Sequence, residues 1–136
     1  MNLAVEHAQG KVPVTILAPE GDVDGSNYQT LIAKAQELHA SGTRYLLLDL
    51  QQVPYMSSAG IIALHSISKL LEGEALPDLE GGWEAIHDVE REQPATTHAQ
   101  LKLLNPQPRV DRLLDMSGLA QVFEVYRDRA AAVQSF

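Results

Sequence analysis

The chain has 136 residues, no cysteine and a formal net charge of −8 at pH 7. This length is typical of a single domain that buries roughly two-thirds of its unfolded surface. The absence of cysteine excludes disulfides, cysteine-ligated zinc and thiol catalysis. The acidic charge disfavours binding to nucleic acid or to an anionic membrane. Because neither a signal peptide nor an apolar run of ~20 residues is present, we expect a soluble cytoplasmic protein.

The first half of the chain alternates strand and helix patterns. An alternating apolar pattern before Gly10 predicts a strand that pairs as a hairpin with a second strand over 12–18. Apolar residues at helical spacing come next, and they predict a helix that Ser26 caps and Gly42 ends. The nearly continuous apolar run over 45–50 predicts a third strand that is buried on both faces.

The second half continues this alternation. The patterns predict a helix at about 58–71, a strand at 101–104, a helix from Pro108 to Gly118, a strand at 122–126 and a final helix at 128–135. The resulting order is ββαβαβαβα. It predicts a single α/β domain with a mixed, mostly parallel five-stranded sheet and about four helices.

A stretch at about 72–98 interrupts this order. It contains eight acidic residues and a single arginine, together with several glycines and prolines. Connections between a helix and a strand usually take ~2–6 residues, so we interpret this stretch as an acidic insertion within the domain. Long loops of this kind are either functional or disordered, and the sequence favours neither.

The most informative segment is the turn that leads from the third strand into the second helix. Ser57 and Ser58 stand where the helix begins, and a serine there caps free backbone N–H groups. The first turn of a helix also provides a favourable position for an anionic group. In doubly wound sheets, functional sites lie beyond the carboxyl ends of strands, where this turn is expected. Taken alone, the pattern is more typical of a structural cap than of a functional site.

Three motifs in chain order give the segment a wider context. They are Gly21-Asp22-Val23-Asp24, then Asp49-Leu50-x-x-Val53-x-x-Met56-Ser57-Ser58-Ala59-Gly60, and finally Leu113-Leu114-Asp115-Met116-Ser117-Gly118-Leu119. Together they resemble the anti-sigma factor antagonists of the STAS domain family (sulphate transporter and anti-sigma factor antagonist). The resemblance covers most of the chain outside the acidic insertion.

The resemblance implies a transcription regulator without catalytic activity or a cofactor. Such a protein binds an anti-sigma factor that is also an ATP-dependent serine kinase, and thereby frees a sigma factor. The kinase phosphorylates the position that corresponds to Ser58, which ends the interaction, and a serine phosphatase restores it. Asp24 corresponds to the family's flanking acidic residue. We expect a monomer whose partner-binding residues are Asp22, Asp24, Tyr55, Met56, Ser57, Ser58, Ala59, Gly60 and Ile61.

The chain departs from the family pattern beside the expected phosphorylation site. Many members have aspartate where this chain has Ser57, and a second serine where it has Ala59. Ser57 is therefore an alternative phosphoacceptor. A second possibility within the fold is a STAS module that is not phosphorylated and serves as a scaffold or regulates a transporter.

Three other classes of function have weaker support. A hydrolase with a Gly-x-Ser-x-Gly turn requires a small first residue, and Met56 occupies that position. The five histidines lack His-x-His or His-Glu-x-x-His spacing, which disfavours a metal site. No Walker-type or Gly-x-Gly-x-x-Gly loop follows a predicted strand, which leaves nucleotide binding without a motif.

Overall fold

A computed structural model describes residues 1–73 and 98–136 of the chain. Within them the strands are β1 (Asn2–Gln9), β2 (Pro13–Glu20), β3 (Leu46–Asp49), β4 (His98–Leu104) and β5 (Phe123–Tyr126). The helices are α1 (Tyr28–Ala40), α2 (Ser58–Leu71), α3 (Pro108–Ser117) and α4 (Arg129–Gln134), with a 3-10 turn at Leu119–Gln121. The predicted order of elements is confirmed.

The strands form one sheet in the order β1-β2-β3-β4-β5. β1 and β2 form an antiparallel hairpin, and the other neighbouring pairs are parallel. Parallel neighbours require a crossover connection, which α1 and α3 provide within the described residues. The prediction of an α/β fold with a mixed, mostly parallel sheet is therefore confirmed.

The central strand β3 has apolar cores on both of its faces. Leu46, Leu47 and Leu48 are each at most 1% exposed. Leu46 and Leu48 pack in the larger core with α1, α2 and α3, whereas Leu47 packs in the smaller core with α4. Full burial of a leucine contributes about 1.5–3 kcal/mol. The prediction that the continuous apolar run forms a strand covered on both faces is therefore confirmed.

The helix α4 lies close against the hairpin of β1 and β2. A Cβ atom added to Gly10 would stand 2.6 Å from the carbonyl oxygen of Val133. No larger residue fits at Gly10 unless the helix shifts. Val133 and Ala132 in turn bury the second face of the sheet over Val14 and Leu47.

The start of α1 corrects one prediction. The N-cap residue is Asn27 rather than Ser26. Both the backbone N–H and the hydroxyl of Ser26 donate to the Asp24 carboxylate, which holds Ser26 in the preceding turn. The bounds predicted for α2 are confirmed.

The acidic insertion predicted at 72–98 lies almost wholly outside the described residues. At one border, Glu72 is the C-cap residue of α2. At the other, β4 begins at His98, three residues before the predicted start of that strand. Within the described ranges, no helix is both long enough and apolar enough to cross a membrane.

Candidate functional site at the start of helix α2

Two loops at the carboxyl ends of β2 and β3 are joined by backbone hydrogen bonds. The Gly21 N–H donates to the Gln52 carbonyl at 2.9 Å. Val23 N–H donates to the Tyr55 carbonyl at 3.0 Å, and Ser57 N–H donates to the Val23 carbonyl at 2.9 Å. Val23 and Met56 thus form an isolated parallel bridge beyond the ends of the two strands. Residues 21–27 form an acidic loop that contains Asp22 and Asp24. The bridge places this acidic loop directly beside the start of α2.

The two serines at this turn have different environments. Ser57 is the N-cap residue, and its Oγ accepts a hydrogen bond from the Ala59 N–H at 3.2 Å. Ser58 is the first helical residue and is exposed, whereas Ser57 is half-buried. Within the part of the chain that the structure describes, no hydrogen bond engages the Ser58 hydroxyl. The hydroxyl available to another molecule is that of Ser58.

A contact between Met56 and Gly60 shapes the first turn of α2. Met56 is 3% exposed and packs within the larger core. A Cβ atom added to Gly60 would stand 2.1 Å from the Met56 Cγ. Any side chain at position 60 would therefore displace Met56. Both residues were predicted to bind a partner; their buried positions support the turn that presents Ser58.

The loop that precedes α1 is held by its own side chains. The Asn27 amide donates to the Asp22 carbonyl at 2.8 Å and accepts from the Asp24 N–H at 3.0 Å. The hydroxyl and backbone N–H of Ser26 donate to the Asp24 carboxylate at 2.5 and 2.9 Å, and these bonds lower the pKa of Asp24 from its ordinary 3.8. Asp24 is therefore an anion at neutral pH, next to the start of α2.

The remaining predicted site residues lie around Ser58 with different degrees of exposure. Tyr55 is 42% exposed, which is high for a large apolar side chain in this protein. Asp22 is also exposed, while Ala59 and Ile61 are half-buried. The exposed surface of the turn thus combines an aromatic ring, a hydroxyl and carboxylates.

The sequence analysis missed the contributions of Asn27 and Gln52. Asn27 fixes the acidic loop through its side chain, and the Gln52 carbonyl binds the start of that loop. An asparagine directly before an apolar helical pattern is a known N-cap signal, and this signal could have identified Asn27. The contact with Gln52 uses only its backbone, so no side-chain pattern indicates it.

The geometry at the start of α2 suits an anionic group. The start of α2 has no acidic residue in its first turn, and a helix N-terminus favours a negative group. His65 is seven residues further along α2, about 10 Å along the helix axis, which is too far to activate Ser58 directly. Among the described residues, no three His, Asp or Glu side chains are placed to share a metal ion.

Comparison with known families identifies the domain. Residues 5–75 match the STAS domain family, and they include most of the hairpin, the acidic loop and the helix α2. The chain belongs to the STAS domain family. No curated protein matches this STAS domain.

Solved structures of other proteins share its fold. An anti-sigma factor antagonist from Mycobacterium paratuberculosis is 17% identical, with a TM-score of 0.69 over 98% of this chain and 92% of that one. A putative anti-sigma factor antagonist from Thermotoga maritima is 16% identical, with a TM-score of 0.70 over 97% and 92%. The Bacillus cell fate determinant SpoIIAA in its phosphorylated form is 15% identical, with a TM-score of 0.57 over 96% of each chain.

Proposed function

We propose that this STAS domain is an anti-sigma factor antagonist that phosphorylation of Ser58 switches off. In its unmodified form it binds an anti-sigma factor that is also a serine kinase, and a sigma factor is released. The kinase then phosphorylates Ser58, and a serine phosphatase restores the binding form. The observation that carries the proposal is the exposed Ser58 hydroxyl at the first position of α2, beside a serine whose hydroxyl already caps the helix.

The fold is suited to accept a phosphate at this position. A phosphoserine adds about −1.5 to −2 charges at neutral pH. The first turn of α2 contains no acidic side chain, and its backbone N–H groups carry partial positive charge. Because Ser58 points into solvent, the phosphoryl group displaces no core residue. Phosphorylation therefore leaves the domain folded and changes only its surface.

The same surface change weakens binding to the partner. A partner that packs against Tyr55 and a neutral Ser58 hydroxyl would have to bury a dianion after phosphorylation. The Asp24 carboxylate lies in the adjoining loop and makes this region more negative. A penalty of ~3 kcal/mol reduces affinity about a hundredfold. The switch needs no conformational change in this domain.

Ser58 is favoured over Ser57 because the two hydroxyls differ in availability. Oγ of Ser57 accepts the Ala59 N–H, so a kinase would have to break the helix cap in order to reach it. Loss of such a cap costs ~1 kcal/mol. Phosphorylation of Ser58 carries no such cost. Since the reaction uses ATP and a sigma factor, we place the protein in the cytoplasm.

Binding measurements with two substitutions test the proposal. The probe is the anti-sigma factor kinase of the same organism, titrated without ATP by isothermal calorimetry. Ser58→Ala should bind like the parent protein, and Ser58→Asp should bind about a hundredfold more weakly. Ser117→Asp adds the same charge to an exposed position on α3 and serves as the control, with less than a twofold effect expected.

The alternative function makes a different prediction in this experiment. A STAS scaffold that is not regulated by phosphorylation would bind its partner equally well as Ser58→Ala and as Ser58→Asp. Equal binding of both variants would therefore contradict the switch while leaving the family assignment intact.

A further inference from the structure

The strand β5 ends the sheet and leaves one edge without a neighbouring strand within the described residues. On its inner side, the Asn105 N–H donates to the Tyr126 carbonyl at 2.9 Å. Backbone groups of successive residues in a strand point to opposite sides, so those of Val125 point away from β4. An open edge of this kind is a template for pairing with a further strand.

A groove runs along this open edge. It is an open groove of about 700 Å³, and five consecutive residues from Phe123 to Arg127 line one side of it. Asp111 and Asp115 of α3 line the other side, with Ala120 and Gln121 at one end. The groove is therefore bounded by a strand edge and by a helix. An extended peptide segment has the shape to occupy it.

The charges in the groove are mainly negative. Asp111 pairs with Arg127, which also donates to the Pro106 carbonyl at 2.9 Å. Glu124 pairs with the buried Lys102 at 2.8 Å. Asp115 is exposed and has no ion-pair partner in the described part of the chain. With Arg127 and Lys102 counted against the three carboxylates, the net charge is about −1 at neutral pH, and the exposed Asp115 carries it.

The negative charge of the groove favours a basic partner segment over a second copy of this chain. A second copy of the chain would bring the same acidic groove and a net charge of −8 to the contact. Like charges placed opposite each other disfavour such a pairing, whereas lysine and arginine side chains would complement it. The four-residue length of β5 limits pairing to a short segment.

We propose that the β5 edge and the α3 groove bind a short, extended, basic segment of a partner protein, which adds as a sixth strand. Its backbone pairs with Val125, and its cationic side chains face Asp115. This surface is separate from the Ser58 turn, because β4 lies between β3 and β5 in the sheet. The proposal does not depend on phosphorylation and goes beyond the proposed function.

A labelled peptide tests this inference with the full chain. The probe is a blocked heptapeptide of alternating lysine and valine, measured by fluorescence anisotropy at 0.15 M salt. Val125→Pro removes the outward N–H, a change that an edge strand tolerates, and should weaken binding about fivefold. Asp115→Lys should weaken it by a similar factor. Glu20→Lys, at the end of β2, makes the same charge change away from the groove and should have less than a twofold effect.

The backbone contribution is tested on the unmodified protein by a peptide with N-methylated valines. This peptide keeps the charges of the probe but loses donors for strand pairing, and we expect it to bind at least fivefold more weakly. Equal binding of both peptides, or equal effects of Asp115→Lys and Glu20→Lys, would show mere charge attraction and overturn the proposal. Absence of binding would overturn it too. A dimer that Val125→Pro dissociates in sedimentation velocity would make the occupant a second copy, against the proposal.

Discussion

The starts of α1 and α2 lie side by side but are built differently. Before α1, the loop contains two aspartates, and Asn27 and Ser26 use their side chains to hold it. Before α2, the cap is one serine hydroxyl, and the first turn has no acidic residue. The start of α1 thus follows a loop that contains carboxylates, whereas the first turn of α2 has no carboxylate of its own. This difference explains why a phosphate would fit at α2.

The largest expected difference between the two starts concerns their glycines. Gly60→Ala should lower the free energy of unfolding by about 1–3 kcal/mol, because its Cβ would displace Met56. A Cβ atom added to Gly25, in the loop before α1, has no other atom within 4 Å. Gly25→Ala should therefore change the free energy of unfolding by no more than ~0.5 kcal/mol. Urea denaturation measures both. In a Met56→Ala background the cost of Gly60→Ala should shrink, and an unchanged cost would contradict the contact as its cause.

The next effect separates the two serines of the turn. Ser57→Ala should lower the free energy of unfolding by ~1 kcal/mol, since it removes the acceptor for the Ala59 N–H. Ser58→Ala should change it by less than ~0.5 kcal/mol, because that hydroxyl is exposed. Urea denaturation of the two variants provides the comparison. A larger loss for Ser58→Ala than for Ser57→Ala would reverse the assignment of cap and free hydroxyl.

A negative charge placed at each helix start gives a smaller effect. Ser58→Asp should raise the free energy of unfolding by ~0.3–1 kcal/mol at low salt, because the N-terminus of α2 favours an anion. Gln29→Asp, in the first turn of α1, should raise the free energy of unfolding by a smaller amount, because Asp24 already lies beside that turn. The gain at position 58 should diminish in 1 M salt, and thermal denaturation at both salt concentrations measures it. Destabilisation by Ser58→Asp would argue against a phosphate at this site.

The smallest effect concerns the acidic loop alone. Hydrogen bonds from Ser26 lower the pKa of Asp24, so the folded state favours the carboxylate, and this stabilisation disappears as pH falls below 3.8. Ser26→Ala should raise the pKa of Asp24 towards 3.8, as measured by NMR titration of the carboxyl carbon. Ser117→Ala, remote from the loop, should leave the pKa unchanged. An unaltered pKa in Ser26→Ala would show that the Ser26 hydroxyl is not a cause of the lowered value.

The sequence predicted those features that local patterns determine. The serine cap and the apolar spacing indicated the bounds of α2, and the leucine run indicated the buried strand β3. Ser26 and Asn27 are both good cap residues, so only the folded loop shows that Asn27 occupies the cap.

Other features depend on contacts between distant parts of the chain. The bridge between Val23 and Met56 joins segments that are more than thirty residues apart, and no local pattern encodes it. The open edge of β5 likewise follows from the strand order of the whole sheet. The site at Ser58 was predicted from motif resemblance, and its exposure comes from the structure.

Mapping the phosphorylated residue tests the central claim most directly. The parent protein, Ser57→Ala and Ser58→Ala are each incubated with the anti-sigma factor kinase and ATP, and the products are analysed by peptide mass spectrometry. We predict one phosphate, on Ser58, in the parent protein and in Ser57→Ala, and none in Ser58→Ala. A phosphate on Ser57 of the parent protein, or undiminished phosphorylation of Ser58→Ala, would contradict the account.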